Sequence, residues 1–405
     1  MKCGLLGRKL GHSYSPMLHA LLGDYEYLLY EREPDEVEGF IRSGAWDAIN
    51  VTIPYKKAVV PFLDELSEGA RALGSVNTIV RRPDGTLFGD NTDVFGFTYM
   101  LRRSGVNPAG KKALVLGSGG ASVTVQSVLR GLGAQVVVIS RTGADNYDNL
   151  SRHRDARLIV NATPVGMYPN NGISPIDLAA FPACEGALDL IYNPARTAFL
   201  LQAEALGIPH ENGLSMLAAQ AKRASELFTG KSLPDEDVER SIRAVEHTLQ
   251  NIVLIGMPGC GKSTLARLLG ERLNRPVVEL DRLIEETAGI PIPEIFAAQG
   301  ESGFRALETQ ALREAGKRSG AILSTGGGCV TRPENYPLLH QNGRIVWLRR
   351  DVSLLPTAGR PLSQARSPEV IYRERRPLYE RFADRTVDND GPIEKTLEQI
   401  LEVIS

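Results

Sequence analysis

The loop around Lys262 carries the clearest chemical signal in this sequence. Residues 256–263 (Gly-Met-Pro-Gly-Cys-Gly-Lys-Ser) follow an apolar run at 251–255 and precede a helical pattern at 264–273. In the order strand, glycine-rich turn and helix, this string is a P-loop, which binds the phosphates of a nucleoside triphosphate. Its glycines let backbone N–H groups point inward, the lysine meets the outer phosphates, and the serine hydroxyl meets Mg²⁺. The residues expected at this site are Gly259, Cys260, Gly261, Lys262, Ser263 and Thr264.

A second glycine-rich turn lies far upstream, at residues 117–122 (Gly-Ser-Gly-Gly-Ala-Ser). It follows an apolar strand at 112–116 and precedes a helical pattern at 123–132, as in a variant of the dinucleotide fingerprint. The next strand, 136–140, runs into Ser140-Arg141-Thr142, where an NAD site usually has an acidic residue. A guanidinium there suits a 2′-phosphate, although an exposed loop arginine is the plainer alternative. The residues expected at this site are Gly117, Gly119, Gly120, Ala121, Ser140, Arg141 and Thr142.

Polar side chains in the first hundred residues suit a small anionic substrate. Ser13 and Ser15 stand beside a predicted helix start at Pro16, where hydroxyl and backbone N–H groups can hold a carboxylate. Taken alone, the two serines are better explained as a turn and an N-cap at Ser15. Asn50 and Thr52 share one face of a predicted strand, because side chains alternate along a strand.

A lysine and an aspartate in the same region could handle a proton together. Lys56 follows that strand after Pro54, and Asp93 ends the string Gly-Asp-Asn-Thr-Asp, shortly after Asn77. A lone lysine is usually a surface residue. Paired with Asp93, however, Lys56 could transfer a proton while a hydride moves.

Bulk composition restricts the class of protein. A chain of 405 residues is too long for one ordinary core, so two or three domains are expected. With a net charge of −2 and no concentrated basic stripe, we expect no nucleic-acid partner. No secretory signal and no apolar stretch of membrane-spanning length are seen, and the four scattered cysteines indicate a reducing compartment. These features predict a cytoplasmic protein without membrane contact.

The predicted elements that position these residues alternate between strands and helices. Such alternation in the first hundred residues predicts a mainly parallel sheet covered on both faces. A long helix with apolar spacing is expected at 216–228, and another runs from about 234 to 247. Only residues 248–250 separate that helix from the P-loop strand, so no flexible tether joins the two halves.

The upstream motifs resemble those of shikimate dehydrogenases over residues 1–245. The strings that carry the resemblance occur in the same order: Ser-x-Ser-Pro at 13–16, Asn-Val-Thr-Ile-Pro-Tyr-Lys at 50–56, Val-Asn-Thr at 76–78, Gly-Asp-Asn-Thr-Asp at 89–93, the glycine turn at 117–122, Asn-Ala-Thr at 161–163, Asp-Leu-Ile-Tyr-Asn-Pro at 189–194 and Met-Leu-Ala-Ala-Gln at 216–220. The resemblance implies NADPH-dependent reduction of the C3 ketone of 3-dehydroshikimate, with Lys56 and Asp93 as the catalytic pair. It implies a discontinuous substrate domain and an active site between the two lobes of this half.

The same resemblance implies roles for further residues. Ser13, Ser15 and Tyr192 would hold the substrate carboxylate. Thr52, Asn77, Asp93 and Gln220 would hold the ring hydroxyls, and Asn50 is expected among the other substrate-binding residues. Asn161, Thr163 and Gly213 would belong to the cofactor side.

One departure from the family concerns the choice of cofactor. Ser140 replaces the asparagine of the family's Asn-Arg-Thr string, and Asp145 stands where a second basic residue is often found. The preference for NADP then depends on Arg141 alone. Dual use of NAD and NADP, or activity on quinate, stays open.

The downstream half carries groups for a carboxylated phosphate acceptor. A P-loop alone does not identify the acceptor, since kinases, GTPases and motor ATPases all use one. Two carboxylates, Glu279 and Asp281, end a predicted strand, and Arg305 lies on a predicted helix. Arg305 and Arg375 could both donate hydrogen bonds to one carboxylate. Backbone N–H groups of the glycine run 326–328 could also bind a ligand.

This set resembles shikimate kinase over residues 250–405. The resemblance implies that Lys262 and Ser263 serve ATP and Mg²⁺, and that Asp281 binds the acceptor hydroxyl and takes its proton. Arg305, Arg375 and the Gly327–Gly328 backbone would fix shikimate, and Arg360 on a lid would meet the phosphates. The family usually has Asp-x-Asp where this chain has Glu279-Leu-Asp281, which affects the Mg²⁺ contact. The stretch 388–390 also lacks an arginine often found near the adenine.

These observations together predict an α/β protein with two activities. The predicted domains are an α/β substrate domain (1–102 with 212–247), a Rossmann NADP-binding domain (103–211) and a P-loop kinase domain like those of nucleoside-monophosphate kinases (250–405). The predicted cofactors are NADP(H), ATP and Mg²⁺, and the ligands are 3-dehydroshikimate and shikimate. The alternative is an active dehydrogenase joined to a weak nucleotide-sensing module. The oligomeric state cannot be inferred from the sequence.

Overall fold

The computed structural model describes residues 1–11, 13–355 and 367–404, and the chain forms two compact units. Unit 1 comprises Met1–Met167 and Ile173–Val245, and unit 2 comprises Tyr168–Gly172 and Glu246–Ser405. Unit 1 contains two sheets and unit 2 contains one. The three predicted domain boundaries stay predictions.

The first sheet of unit 1 has six strands in the order β2-β1-β3-β5-β6-β4. The strands are β1 (Lys2–Gly7), β2 (Glu26–Glu31), β3 (Ala48–Val51), β4 (Glu65–Leu66), β5 (Thr78–Arg81) and β6 (Leu87–Asp90). β5 runs antiparallel to both β3 and β6, so the prediction of a mainly parallel sheet missed a hairpin. Its signal was present, because Pro83-Asp84-Gly85 is a typical turn sequence and Gly85 adopts a φ of 88°.

Four helices accompany this sheet: α1 (Ser15–Leu22), α2 (Val37–Arg42), α3 (Glu68–Leu73) and α4 (Asp93–Arg103). Ser15 is the first residue of α1, and Tyr14 occupies the N-cap position. The prediction of Ser15 as the N-cap was therefore wrong by one residue. The Ser13 hydroxyl accepts the Ser15 N–H at 3.2 Å, since its short side chain reaches two residues along the chain.

The second sheet of unit 1 has five parallel strands in the order β11-β10-β9-β7-β8. They are β7 (Lys112–Leu116), β8 (Gln135–Ile139), β9 (Leu158–Asn161), β10 (Gly186–Asp189) and β11 (His210–Asn212). The helices here are α5 (Gly120–Gly131) and α6 (Ala198–Ala205), followed by the long α7 (Gly213–Thr229) and α8 (Glu236–Leu249). β7, β9 and β10 are almost wholly buried, as strands covered on both faces should be.

Helices α4 and α7 pack closely because one residue between them has no side chain. A Cβ atom on Gly96 of α4 would lie 2.6 Å from the Met216 carbonyl oxygen and 3.1 Å from Gln220 Cβ, both on α7. Helix α7 comes more than one hundred residues after α4 in the chain. The helix that carries Gln220 therefore packs against the one that begins with Asp93.

Unit 2 contains a parallel five-stranded sheet in the order β13-β14-β12-β15-β16. The strands are β12 (Asn251–Ile255), β13 (Val277–Glu279), β14 (Ile322–Ser324), β15 (Gly343–Arg349) and β16 (Arg385–Asp388). The described helices are α9 (Lys262–Leu273), α10 (Leu280–Ala288), α11 (Ile292–Ala315), α12 (Asn335–His340), α13 (Pro368–Phe382) and α14 (Ile393–Ile404). Helix α11 is kinked at Gly300, whose φ of 66° is not helical.

Short 3₁₀ turns complete the two units, at Pro34–Glu36, Val60–Phe62, Leu150–His153, Leu178–Ala180, Cys329–Thr331 and Val352–Leu354. Every residue of β12 is buried, which explains its continuous apolar sequence. Within the described ranges, no helix combines the length and the apolarity needed to cross a membrane.

Candidate active sites

Unit 1 contains a cavity of about 450 Å³, called cavity 1 here. It lies where the strand ends of the first sheet face α5, α7 and the segment after β10. Eleven of the residues predicted for substrate and cofactor line it: Ser13, Ser15, Asn50, Thr52, Lys56, Asn77, Asp93, Ala121, Tyr192, Gly213 and Gln220. Residues from distant parts of the chain thus meet at one site.

An ion pair between Lys56 and Asp93 lies in cavity 1. The Lys56 Nζ atom is 2.6 Å from Asp93 Oδ2, and the two side chains are only 29% and 13% exposed. The other carboxylate oxygen of Asp93 accepts the Asn77 amide at 2.9 Å. Asp93 is the first residue of α4, so its side chain lies at the positive end of the helix dipole. The pair is thereby held in one orientation at the cavity wall.

Asn77 is held in turn by the start of α4. Its Oδ1 atom accepts the Thr92 backbone N–H at 2.7 Å and the Thr92 hydroxyl at 3.2 Å. The Thr92 hydroxyl also lies 3.3 Å from the Gln220 Oε1 atom. Asn77, Asp93 and Gln220 consequently belong to one connected polar network.

Asn50 lines cavity 1 but already has its hydrogen-bond partners. Its amide nitrogen donates to the Asn77 carbonyl at 3.3 Å and to the Thr78 hydroxyl at 3.1 Å. Its oxygen accepts the Tyr27 hydroxyl at 2.8 Å. Since Asn50 is buried, its amide holds the start of β5 and the preceding Asn77 in place. Tyr27 was not identified from the sequence as part of this network.

Tyr192 places a hydroxyl-bearing ring beside the two serines of cavity 1. Its ring centroid lies 5.4 Å from that of Tyr14, between Ser13 and Ser15 in the sequence. Burial raises the pKa of Tyr192 above its ordinary value, so the hydroxyl stays protonated and can donate a hydrogen bond. The hydroxyl groups of Ser13, Ser15 and Tyr192 therefore line the same cavity.

The dinucleotide turn is built as the fingerprint requires. Gly117 has a φ of 100°, and a Cβ there would lie 2.9 Å from the Thr163 Cγ2 atom, so the position requires glycine. Gly119 is the N-cap of α5, and Gly120 begins the helix. The Ser122 hydroxyl donates to the Gly117 carbonyl at 2.6 Å and closes the turn. Backbone N–H groups at the start of α5 are thus available to a pyrophosphate.

Asn161 fixes the position of Thr163, the residue that packs against Gly117 of the dinucleotide turn. It is fully buried, and its Oδ1 atom accepts the Thr163 N–H at 3.0 Å and the Thr163 hydroxyl at 2.7 Å. Its amide donates to Asp189 at 3.0 Å, and Asp189 also accepts the Thr197 hydroxyl at 2.6 Å. Burial raises the pKa of Asp189 to about 6. Asp189 lies in the family-like string at 189–194, but its role in this network was not predicted.

Arg141 lies in an exposed turn directly after β8. The Ser140 N–H donates to the Asp145 carbonyl at 3.2 Å, and the Asp145 carboxylate lies 2.9 Å from His153 Nε2. The Gly117 N–H bonds to the Ile139 carbonyl at 2.8 Å, so the end of β8 is next to the dinucleotide turn. Ser140, Arg141 and Thr142 consequently follow the strand that adjoins the glycines, as at a ribose-binding position.

Unit 2 contains a cavity of about 470 Å³, called cavity 2 here. Its lining includes these predicted residues: Gly259, Gly261, Lys262, Ser263, Thr264, Glu279, Asp281, Arg305, Gly327, Gly328 and Arg375. Cys260 is fully buried beneath the P-loop, so it can offer a ligand only its backbone. Arg360 lies outside the described residues.

The P-loop has the backbone conformation that glycine permits. Gly256, Gly259 and Gly261 all have positive φ angles, of 145°, 85° and 96°. The Lys262 ammonium group donates to the Gly256 and Met257 carbonyls at 3.0 Å each, so it lies across the loop. The Asn389 amide also donates to the Cys260 carbonyl in the P-loop at 2.6 Å. Residues 388–390, which lack the arginine often found near the adenine, therefore help to hold the P-loop in place through Asn389.

Oxygen atoms suited to Mg²⁺ lie beside the P-loop. The Ser263 hydroxyl donates to the Glu279 carboxylate at 2.9 Å and lies 3.3 Å from the Ser324 hydroxyl. Mg²⁺ prefers a few oxygen ligands of this kind together with water and substrate phosphates. Although the Glu279 side chain is longer than the aspartate usual in the family, its carboxylate still contacts Ser263, and both groups could bind one metal ion. The donor set fits Mg²⁺.

The other side of cavity 2 combines arginines with buried carboxylates. Arg305 donates to Glu308 at 2.8 Å, and the Glu308 side chain is wholly buried. Burial raises the pKa of Glu308, which the Arg305 guanidinium opposes. Burial likewise raises the pKa of Asp281, while the nearby Lys262 ammonium lowers it. Arg375 donates to the Gly327 carbonyl at 3.1 Å.

Glu308 was not predicted as a site residue. Its spacing of three positions from Arg305 on one helix was the available signal, because such residues are neighbours on a helix surface. Tyr379 was also missed, although its hydroxyl donates to the Gly327 carbonyl at 2.5 Å beside Arg375. Glu308 lines the arginine end of cavity 2, and Tyr379 holds the Gly327 backbone there.

Comparison with known proteins separates the same two parts of the chain. The family model for the shikimate dehydrogenase substrate binding domain matches residues 5–79, and the shikimate kinase model matches residues 258–405. The shikimate dehydrogenase (NADP(+)) of Methanopyrus kandleri is 37% identical over 279 residues, which cover 60% of this chain and 94% of that protein. The enzyme of the same name from Oleidesulfovibrio alaskensis is 39% identical over 57% of this chain and 90% of its own length.

Solved structures give the same assignment for the first part. A chorismate mutase/shikimate 5-dehydrogenase fusion protein from Clostridium acetobutylicum matches with a TM-score of 0.58 and 35% identity, covering 60% of this chain and 97% of that one. Shikimate 5-dehydrogenase from Thermus thermophilus, in complex with NADP(H) and shikimate, matches with a TM-score of 0.55 and 35% identity. That match covers 60% of this chain and 99% of the Thermus chain.

Proposed function

Since the chain belongs to the shikimate dehydrogenase family and also carries a shikimate kinase domain, we propose that it performs two consecutive steps on one small acid. The first step reduces 3-dehydroshikimate to shikimate with NADPH. The second transfers the γ-phosphoryl group of ATP to shikimate, giving shikimate 3-phosphate. The observation that supports this proposal is convergence, because two separate residue sets suit the same metabolite as product and as acceptor.

In the first step, Lys56 and Asp93 manage the proton. NADPH supplies a hydride to the C3 carbonyl carbon, and the oxygen of that carbonyl must then receive a proton. The Lys56 ammonium group is the acid, and its ion pair with Asp93 fixes its direction at 2.6 Å. Ser13, Ser15 and Tyr192 orient the substrate through its carboxylate. Thr52, Asn77 and Gln220 hold the ring hydroxyls, with Asn50 behind them.

The dinucleotide turn and its neighbours serve the cofactor. Gly117, Gly119, Gly120 and Ala121 bring backbone N–H groups to the pyrophosphate. Arg141 recognises the 2′-phosphate, with Ser140 and Thr142 beside it. Asn161, Thr163 and Gly213 shape the cofactor side of the cavity. For Arg141→Ala, we expect a larger loss of activity with NADPH than with NADH, and equal losses would refute this role for Arg141.

In the second step, the acceptor hydroxyl attacks the γ-phosphorus of ATP. Asp281 takes the proton from that hydroxyl, and burial makes its carboxylate a stronger base than an exposed aspartate. Arg305, Arg375 and the Gly327–Gly328 backbone hold the shikimate carboxylate. Lys262 and the other P-loop residues stabilise the phosphates, and Ser263 and Glu279 hold Mg²⁺.

Domain limits and location are part of the same proposal. The substrate domain comprises residues 1–102 with 212–247, the cofactor domain 103–211 and the kinase domain 250–405. We place the protein in the cytoplasm, where its four cysteines, all free thiols, would stay reduced.

Product identification tests the two-step proposal. The purified chain is supplied with 3-dehydroshikimate, NADPH, ATP and Mg²⁺, and the products are identified by mass. Shikimate 3-phosphate is the expected final product. For Lys262→Ala, we expect the reaction to end at shikimate. Kinase turnover that disappears in Lys262→Ala would reject the nucleotide-sensing alternative, whereas a lack of kinase turnover in the unmodified chain would favour it.

A further inference from the structure

Two adjacent arginines at the end of β15 have opposite environments. Arg349 is exposed and donates to both oxygens of Asp388, at 2.5 and 2.8 Å. Arg350 is half-buried and lines cavity 2 together with the P-loop. This opposition follows from strand geometry, because successive side chains point to opposite faces. Arg349 thus pairs with Asp388 within the fold, whereas the Arg350 side chain faces a cavity in which it could bind a ligand.

The Arg350 guanidinium lacks the acceptors that the other cavity arginines have. Its Nε atom is buried and has no hydrogen-bond partner among the described residues. By contrast, Arg305 has Glu308 and Arg375 has the Gly327 carbonyl. A buried N–H group without an acceptor is costly, unless a ligand provides that acceptor. The position of Arg350 therefore suits an anion.

The order of strands indicates which anion lies within reach. β15 pairs directly with β12, whose end leads into the P-loop, and a Cβ on Gly256 would lie 2.5 Å from the Leu348 carbonyl oxygen. Asp281 follows β13 on the opposite side of the sheet, three strands away from β15. With strands spaced about 4.8 Å apart, that separation is roughly 14 Å. The donor phosphates over the P-loop lie between these two positions.

From this arrangement we propose that Arg350 binds the triphosphate of the phosphoryl donor. This role rests on the proposed kinase function and adds a cation to the site residues predicted from the sequence. An arginine can present two N–H groups to one phosphate, which makes it a strong and geometrically specific phosphate ligand. Arg350 would thereby act on donor binding and leave acceptor binding unchanged.

Direct binding measurements test this role without requiring turnover. Calorimetric titration of the full chain with ATP and Mg²⁺, and separately with shikimate, gives two dissociation constants for each variant. For Arg350→Ala, we expect ATP to bind about 10- to 100-fold more weakly and shikimate to bind within a factor of two of the unmodified chain. Arg350→Lys keeps the positive charge but loses the paired N–H groups of the guanidinium, so its ATP affinity should lie between those of the unmodified chain and Arg350→Ala.

Arg349→Ala is the matched control, since it removes a neighbouring arginine that is already paired with Asp388. ATP affinity should change by less than about threefold in this variant. Unchanged ATP binding in Arg350→Ala, or a loss confined to shikimate, would overturn the proposal. If the unmodified chain bound ATP but did not phosphorylate shikimate, the kinase function would fail while the role of Arg350 could still be measured.

Discussion

At the scale of single residues, the chemistry that we propose for cavity 1 depends on how the Lys56 ammonium group is held. Lys56 is paired with one oxygen of Asp93, and Asn77 occupies the other oxygen. Neither group of the ion pair can turn away without losing a short, charged hydrogen bond. The lysine is therefore oriented before substrate arrives, which is the condition for efficient proton transfer.

Lys56→Ala should remove the acid of the first step. Dehydrogenase turnover should fall by about 10²- to 10⁴-fold, since this is the usual contribution of a general acid or base. Phosphorylation of added shikimate should stay near its normal rate. Absorbance of NADPH at 340 nm measures the first activity, and ADP release measures the second.

The neighbouring Lys57 offers a matched control because it is exposed. Lys57→Ala should keep both activities. An equal fall of both activities in a folded Lys56→Ala chain would contradict the assignment of Lys56 to the first step.

His19 makes unit 1 sensitive to acid. Its ring stacks on Tyr27 at 4.0 Å between centroids, and complete burial lowers the pKa of His19 to about 3. Because the folded state holds this histidine neutral, the stability that it contributes is complete above pH 6.5 and is lost as pH falls toward 3. From this group alone, the free energy of unfolding should fall by up to about 1.4 kcal/mol per pH unit in that range.

The measurement compares urea unfolding of His19→Gln with that of the parent chain at several pH values. In a Trp347→Phe background, the fluorescence of Trp46 follows unit 1 alone, since the sequence has only two tryptophans. Asp189 titrates in the opposite sense, because its pKa is raised to about 6, but its effect cancels between variant and parent. A stability difference that did not vary between pH 4 and 6.5 would refute the prediction.

At the scale of elements, Gly96 sets the distance between α4 and α7. Gly96→Ala would place a methyl group 2.6 Å from the Met216 carbonyl, so the helices must move apart. We expect a loss of about 1–3 kcal/mol in the unfolding free energy of unit 1, as for other overpacked sites. The KM for shikimate in the reverse reaction should rise, because Gln220 lies 3.1 Å from the added atom.

Gly39→Ala is the control for this helix substitution. Gly39 lies on α2, and a Cβ there would meet nothing within 4 Å. This variant should be as stable as the parent or more stable by up to about 1 kcal/mol, because alanine favours the helix. Unchanged stability and KM in Gly96→Ala would show that the helices tolerate separation.

The two cavities show which features could be read from the sequence. The P-loop and the dinucleotide turn were predictable, because their glycines, strands and helices are adjacent in the chain. Glu308 was not predicted, since its burial depends on how α11 packs in the folded unit. Likewise, only the fold reveals that Asn50 and Asn161 are occupied by neighbouring groups. The hairpin of β5 and β6 was missed although its turn residues were visible.

At the scale of the whole molecule, each proposed step uses the residues of one unit. All lining residues of cavity 1 belong to unit 1, and all those of cavity 2 belong to unit 2. Shikimate released by one molecule should therefore serve as acceptor for another. The two activities should be separable by mutation and recoverable by mixing.

An equimolar mixture of Lys56→Ala and Lys262→Ala chains tests this independence. With 3-dehydroshikimate, NADPH, ATP and Mg²⁺, we expect the mixture to form shikimate 3-phosphate. The first variant alone should leave the substrate largely unconverted, and the second alone should accumulate shikimate. Mass spectrometry of timed samples measures all three compounds, and a mixture that stopped at shikimate would contradict the expectation.

The packing of α4 against α7 also has a consequence for the nascent chain during translation. Asp93 leaves the ribosome well over one hundred residues before Gln220, because the whole second sheet of unit 1 is translated between them. At ordinary rates of translation, this interval lasts roughly six to twenty-five seconds. During that time the face of α4 around Gly96 has no helical partner. The substrate-binding face formed by α4 and α7 can therefore be completed only late in the synthesis of unit 1, shortly before translation of the kinase sequence begins.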